Sequence, residues 1–156
     1  MFERRDRVIS VTRRGDWQYT FRQTADNPRG LWLRLPQDAP PVPEADWQVV
    51  FDLDRFCRDT GQVWHWSGAA TAWVDPYRVV LRLSVDGLYL VRDVEFDLKA
   101  SQIVPGGFDL VPERGGAADW IDADTLRWAT STGEGARTRA GWPRLVKHLH
   151  RDGRSD

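Results

Sequence analysis

The chain is 156 residues long and is sparing with several residue types. Its one cysteine, Cys57, rules out an internal disulfide framework and fits a reducing compartment. No excess of one charge exists: 22 Lys and Arg stand against 23 Asp and Glu, for a net charge of −1. That balance argues against an electrostatically driven nucleic-acid binder. No apolar run approaches the ~20 residues that span a bilayer. Met1 to Asp16 is charged and lacks an apolar stretch, so no secretory leader is expected. These absences predict a cytoplasmic protein without membrane or nucleic-acid partners. Lysine is scarce, with Lys99 and Lys147 the only two, and the other cations are arginines. Coding composition accounts for that bias more simply than arginine-specific chemistry. Helical periodicity is also nearly missing: no dozen residues sustain an apolar i, i+3, i+4, i+7 stripe. The best short helix is Asp54 to Asp59.

What is present is tryptophan and alternation. Nine tryptophans promise large buried aromatic contacts. Hydrophobic residues at 41% and charged residues at 29% suit one globular domain over 1–156. Strand patterns recur at Trp17–Phe21, Leu31–Leu35, Trp47–Leu53, Val63–Trp66, Ala70–Trp73, Arg78–Leu83, Leu88–Val91, Val94–Leu98, Ala118–Ile121, Leu126–Ala129 and Arg144–Leu149. Turn residues separate them, among them Arg14-Gly15-Asp16, Asn27-Pro28-Arg29-Gly30, Asp86-Gly87 and Pro105-Gly106-Gly107. Many short strands at this spacing predict an all-β antiparallel fold. Pro36 to Pro43 reads as a surface loop, Gly133 to Gly141 as a mobile one, and residues 151–156 as a flexible tail.

The sequence also echoes itself. Trp73-Val-Asp-Pro-Tyr-Arg-Val-Val-Leu-Arg-Leu-Ser84 aligns with Trp120-Ile-Asp-Ala-Asp-Thr-Leu-Arg-Trp-Ala-Thr-Ser131 at a spacing of 47 residues. Gly30-Leu-Trp echoes Gly87-Leu-Tyr, and Phe51-Asp-Leu-Asp echoes Phe96-Asp-Leu-Lys. A period in the forties with about four strands per unit is the pattern of a β-propeller blade. The expectation is about three blades, roughly 8–59, 61–112 and 115–150, forming a partial propeller. Trp73 and Trp120 should then occupy equivalent buried positions before Asp-containing turns, each costing ~3–5 kcal/mol on truncation to alanine.

Beyond the repeat, particular runs resemble a known family. Val11-Thr-Arg-Arg-Gly-Asp-Trp-Gln-Tyr-Thr-Phe21, continuing to Trp32, is similar to the start of the propeller in serine peptidases of the prolyl oligopeptidase family. So are Val49-Val-Phe-Asp-Leu-Asp54, Gly61 to Ala69, Val91 to Leu98, Trp120 to Leu126 and Gly141 to Lys147, in the same order along the chain. The resemblance implies an N-terminal β-propeller portion without the α/β-hydrolase domain that carries the family's catalytic Ser, Asp and His. These residues hold no Gly-x-Ser-x-Gly nucleophile elbow. Ser67 lies in Trp66-Ser-Gly-Ala, and His65, His148 and His150 have no catalytic context from the family. The turn at Asp86-Gly87 is shorter, and Gly133 to Gly141 more basic, than the family pattern.

Other constellations favour structure over chemistry. His148-x-His150 share one strand face and could seed a metal site with Asp152, but a lone pair is weak and a solvated face is preferred. Asp52, Asp54 and Asp59, and Asp119, Asp122 and Asp124, read as turn-capping carboxylates rather than a glycosidase pair. Cys57 reads as a half-buried structural thiol. No cofactor and no metal site are expected. Trp64, Trp66 and Trp73, with Arg78 and Arg82, could pack between blades or line a groove. Trp64, Trp66, Trp128, Trp142 and Leu145 are the candidates for an interface or a ligand face. The reading is a non-catalytic partial propeller for binding or assembly. An open arc leaves two apolar faces, which predicts a homodimer or other homo-oligomer. Two alternatives remain open. One is a small-molecule-binding β-barrel; the other is an accessory chain whose hydrolase partner is supplied in trans.

Overall fold

A computed structural model describes residues 9–156. Val8, the expected start of the first blade, lies outside them. The alternating segments become three antiparallel sheets. The first runs β1 (Thr12–Arg14), β2 (Trp17–Arg22), β3 (Leu31–Pro36), β4 (Gln48–Asp52) as a simple meander. The second runs β5 (His65–Ala72), β6 (Asp75–Ser84) and β7 (Leu90–Asp97). Two short strands, β8 (Gln102–Ile103) and β9 (Asp109–Arg114), share the outer edge of β7. The third sheet is β10 (Ala117–Asp122), β11 (Thr125–Thr130) and β12 (Leu145–His150). Among the described residues no sheet's first strand pairs with its last, so none closes. The fold is therefore an all-β antiparallel partial propeller. A barrel requires closure, so the small-molecule barrel alternative is overturned.

One helix, α1 (Leu53–Thr60), links the first sheet to the second, close to the span expected from sequence. Its ends carry their own signals. Asp52 is the N-cap, its carboxylate accepting from the Arg55 N–H at 2.8 Å. Gly61 closes the helix at φ 64°, a left-handed conformation that costs a residue without Cβ nothing.

Two seams join the sheets, and β6 contributes to both. Val79, Leu81 and Leu83 on one face of β6 pack with Val94 and Phe96 of β7 against Tyr19, Trp32, Val50 and Phe51 of the first sheet. Trp66 inserts there, stacked on Phe21 with ring centroids 4.7 Å apart. The opposite face of the second sheet presents Ala72 and Val80 to Ala118, Trp120 and Leu126 of the third. Arg78 and Arg82 of β6 lie on that same face, by strand period, as Val80.

The structure corrects several expectations. Val63–Trp66 and Ala70–Trp73 fuse into one strand, β5, which passes through Gly68 at φ 118° with register shifts between Trp66 and Gly68 and between Thr71 and Ala72. Leu88–Val91 and Val94–Leu98 likewise share β7, with Leu88 left in the preceding loop. The repeat is real as a hairpin but its offset is wrong. Ala72 pairs with Asp75 across one turn and Asp122 with Thr125 across the other, an offset of 50 residues rather than 47. Trp73 therefore sits on a turn tip at 75% exposure, while Trp120 lies within β10 at 9%. Residues 151–156 do not trail away. The chain turns back, and His148 and Asp156 exchange backbone hydrogen bonds at 2.7 and 3.1 Å beside β12. The edge of β12 offers unpaired backbone groups, and the returning segment pairs with them.

Candidate functional site

The most organised cluster of ionisable groups is the seam between the second and third sheets. Asp93 and Glu95, two apart on β7, share its polar face, and Glu113 stands on β9. All three carboxylates are buried. Such groups are tolerated only when each oxygen is bonded, and here each is. Asp93 accepts from the Arg82 guanidinium at 3.1 Å and from the Ala118 N–H of β10 at 2.8 Å. Arg82 also donates to the Ala118 carbonyl at 2.8 Å. Burial raises the Asp93 carboxyl above the ordinary carboxylate range, with Arg82 pulling the other way.

Glu95 sits where the outer strand breaks. Its N–H donates to the Phe108 carbonyl and its carbonyl accepts from Val104, so residues between them bulge out around Pro105-Gly106. The carboxylate accepts from Phe108 N–H at 2.9 Å, from Arg78 at 3.2 Å, and from both terminal nitrogens of Arg151 at 2.9 and 3.0 Å. This two-pronged contact is the strongest geometry available to an arginine–carboxylate pair. Arg151 also donates to Asp124 and to the Ala123 carbonyl, fixing the end of the third sheet on the second. Glu113 accepts from Thr130 Oγ at 2.9 Å, from Ser131 N–H at 2.8 Å and from Thr132 Oγ. Each of these three buried carboxylates is thus answered by a donor on, or next to, a strand of the third sheet. A cleft of about 360 Å³ opens at one end, lined by Val74, Asp75, Arg78, Asp124 and Arg151 among others.

This arrangement holds sheets together and offers little to a substrate. The nearest approach to a hydroxyl–imidazole–carboxylate line is Thr125, His150 and Asp156. His150 Nε2 lies 2.7 Å from Asp156, but its Nδ1 is 3.4 Å from the Thr125 hydroxyl, and Thr125 is buried. That hydroxyl has no route to a substrate carbonyl. Ser84 is buried and bonded to Asp86, Ser131 is buried, and Ser67 lies exposed on β5. Asp152 pairs with Arg154 rather than with the histidines. No group of three metal-ligating side chains occurs among the described residues.

The five residues singled out from sequence do not form one site. Trp64 is buried beside α1, its indole N–H donating to Thr60 Oγ at 3.0 Å. Trp66 fills the first seam and Trp128 the second. Trp64 is buried, and Trp66 and Trp128 are half-buried in this packing, the between-blade placement weighed for Trp64 and Trp66 from sequence. Trp142 and Leu145 are exposed, with Trp142 edge-on to Tyr89 at 5.0 Å. Sequence reading missed the seam because Val91-Arg-Asp-Val-Glu-Phe-Asp97 looks like a strand with one wet face. The available signal was charge complementarity. Arg78 and Arg82, four apart on the preceding strand, fall on one face by strand period, and that face pairs with the one carrying Asp93 and Glu95.

Three open antiparallel sheets held by an apolar and an ionic seam define a partial propeller. Comparison with known proteins places it further. No protein-family model matches the chain. In sequence it is homologous to the uncharacterized peptidase RP174 of Rickettsia prowazekii (strain Madrid E), with 25% identity over 132 residues. That match covers 80% of this chain and 18% of the peptidase. In structure it resembles a post-proline cleaving enzyme from Rickettsia typhi, with a TM-score of 0.84 and 22% identity over 99% of this chain and 24% of the enzyme. A prolyl endopeptidase gives 0.64 at 14% identity over 90% of this chain and 18% of its own. The chain thus spans a quarter or less of the length of these relatives. The resemblance to the propeller portion of the prolyl oligopeptidase family holds.

Proposed function

We propose that these residues act as a non-catalytic binding and assembly module of the oligopeptidase-propeller type, working in the cytoplasm as a homo-oligomer. Any peptide-bond chemistry associated with it belongs to a hydrolase unit outside this stretch, in the same assembly or supplied in trans. One observation carries the reading. Nearly the whole chain superposes on a quarter of a post-proline cleaving enzyme. The internal chemistry agrees: the buried carboxylates are consumed by bonds between sheets, and none stands beside an accessible nucleophile.

The test is a chromogenic prolyl-peptide assay on the purified chain, paired with light scattering on the same sample. The expected result is no turnover and a mass above that of one chain. Turnover abolished by Ser67→Ala, Ser84→Ala or Ser131→Ala would overturn the non-catalytic reading. A monomer at every concentration would overturn the assembly reading.

A further inference from the structure

The flat outer faces of the array are poor candidates for the assembly surface. On the third sheet, Asp119 and Arg127 form an exposed pair 3.8 Å apart on that face, beside exposed His148. On the first sheet, Gln18, Thr20, Leu33 and Leu35 share the outward side by strand period and are all buried. The Gln18 amide donates to the carbonyls of Pro36 and Ala39 in the returning loop. Of the large exposed apolar side chains, Trp73, Val74 and Ile121 lie at one end of the strands and Leu88, Tyr89, Trp142 and Leu145 at the other, while Val49, Val111 and Val146 are spread singly along β4, β9 and β12 and Val63 precedes β5.

One end carries the β5–β6 and β10–β11 turns. Trp73 is fixed there because its indole N–H donates 2.8 Å to the Ile121 carbonyl of the neighbouring hairpin. With that donor satisfied, the ring presents apolar surface without a polar group needing water. Val74 and Ile121 are exposed beside it. The charges on these turns are Asp75, Asp122 and Asp124, with Arg151 bound to Asp124 and Arg78 to Glu95.

The opposite end lies a β6 strand away, 10 residues or roughly 30 Å. It carries the β6–β7 loop and the segment before β12, brought together by the Tyr89–Trp142 contact. Leu88, Tyr89 and Trp142 are exposed. The Asp86 carboxylate, accepting from Ser84 and from the N–H groups of Leu88, Tyr89 and Leu90, holds the loop in shape. The charges here are Arg114, Arg137, Arg139 and Arg144, against Asp86 and Glu134. Arg114 lies over the Trp142 ring at 5.6 Å.

The two ends therefore match each other in character: a rigid aromatic cluster with acidic neighbours, and a second aromatic cluster with basic ones. We propose that the chain assembles head to tail with copies of itself, the Trp73 end of one copy seating against the Leu88–Tyr89–Trp142 end of the next. This rests on the assembly reading above and names its surface. The occupant is a second copy because the complementary patch is present on the same chain. Such a contact buries apolar anchors inside a charged rim, the anatomy of a protein interface. It is heterologous, so it builds a ring or an open stack rather than a two-fold dimer.

The experiment exploits that asymmetry. Trp73→Ser blunts one end and Leu88→Asp the other, both at exposed positions, with circular dichroism as the check on folding. Val74→Ser replaces Trp73→Ser should the latter not fold, and Tyr89→Ser replaces Leu88→Asp. Light scattering should give a wild-type mass that rises with concentration and falls at high ionic strength. Each variant alone should be monomeric. Their mixture should give a 1:1 heterodimer of twice the chain mass that grows no further, since only one intact pair of ends remains. Variants that assemble like wild type would overturn this surface while leaving self-assembly standing. Variants that are monomeric alone and stay monomeric when mixed would overturn the head-to-tail geometry. A wild-type chain that is monomeric throughout would sink both this proposal and the assembly reading beneath it.

Discussion

The two seams of this molecule do the same task with opposite chemistry. Between the first and second sheets the contact is aromatic and aliphatic: Trp32 meets Tyr19, Trp66 and Phe96 at centroid distances of 5.3, 5.1 and 6.2 Å. Between the second and third sheets the apolar set shrinks, and three buried carboxylates with their donors fill the rest. Apolar contact is nondirectional and scales with area, so it gives cohesion with little demand on register. A buried carboxylate is stable only with its particular donors in place, so it gives register with little net cohesion. The first seam should therefore dominate stability, and the second should decide how the third sheet sits.

Breaking the first seam gives the largest expected effect. Trp32 is nearly inaccessible at the centre of the aromatic set, so Trp32→Ala should cost ~3–5 kcal/mol in urea unfolding. A cost below about 1 kcal/mol would mean that the aromatic seam is not the main source of cohesion.

Breaking the second seam should cost less and change more specific observables. Arg151→Ala removes both prongs from Glu95 but leaves Arg78 and the Phe108 N–H. Removing one partner of a fully buried pair costs ~3–5 kcal/mol. The two remaining donors and the one-third exposure of Arg151 reduce that to about 1–2 kcal/mol. Hydrogen exchange should show the loss as reduced protection of Leu126–Leu149 amides, with β2 and β3 unaffected. Uniform loss across all three sheets would make the two seams one cooperative unit.

Much of this contrast could be read from sequence on one side and not on the other. The aromatic seam announced itself through alternation in Trp17–Phe21, Leu31–Leu35 and Arg78–Leu83, because burying one face of a strand imposes period two. The helix was legible only over Asp54 to Asp59, short of the caps Asp52 and Gly61 that bound it in the structure. The carboxylate seam was hidden because β6 and β7 lie between two other sheets, and alternation cannot distinguish a wet polar face from a buried one. Two outer strands escaped for a third reason. Pro105-Gly106-Gly107 and Pro112 lie between or within β8 and β9, and such residues read as loop. Trp73 and Trp120 looked equivalent because each precedes an aliphatic residue and an Asp. Pairing across the turn, which no local motif encodes, sets the true offset three residues away.

Acid should separate the carboxylates in a way that sharpens the comparison. Asp93 has its native carboxyl raised above the unfolded value by burial. Between the unfolded value, ~3.9, and the raised native one, the folded chain binds more protons than the unfolded chain. Stability from this group therefore falls as pH rises through that window. Asp86, exposed on its loop, goes the other way. The N–H groups of Leu88 and Leu90 hold it down to about 2, so its contribution is present above the unfolded value and is lost as pH falls towards 2. Denaturant midpoints measured against pH should show the advantage of wild type over Asp93→Asn shrinking as pH rises through the window. For Asp86→Asn the wild-type advantage should instead grow as pH rises from about 2 to the unfolded value, ~3.9, and level off above it. Parallel profiles for the two variants would remove the distinction between buried seam and exposed turn.

The smallest expected effect isolates burial from bonding. Two indoles make the same contact across the second seam: Trp120 Nε1 donates to the Ala70 carbonyl at 3.1 Å, and Trp73 Nε1 to the Ile121 carbonyl at 2.8 Å. Substitution by phenylalanine removes the donor and keeps an aromatic ring. At Trp120, buried, the change also leaves space and strands an acceptor beneath it, so the cost should be about 1–3 kcal/mol. At Trp73, three-quarters exposed, water replaces the lost donor, and the cost should stay within about 0.5 kcal/mol. The shorter bond would then be the weaker contributor, because what an unmade hydrogen bond costs depends on whether water can reach the group left behind. Equal costs at the two positions would mean that the bond itself ties the third sheet to the second. The carboxylates would then share the fixing of register with the indoles.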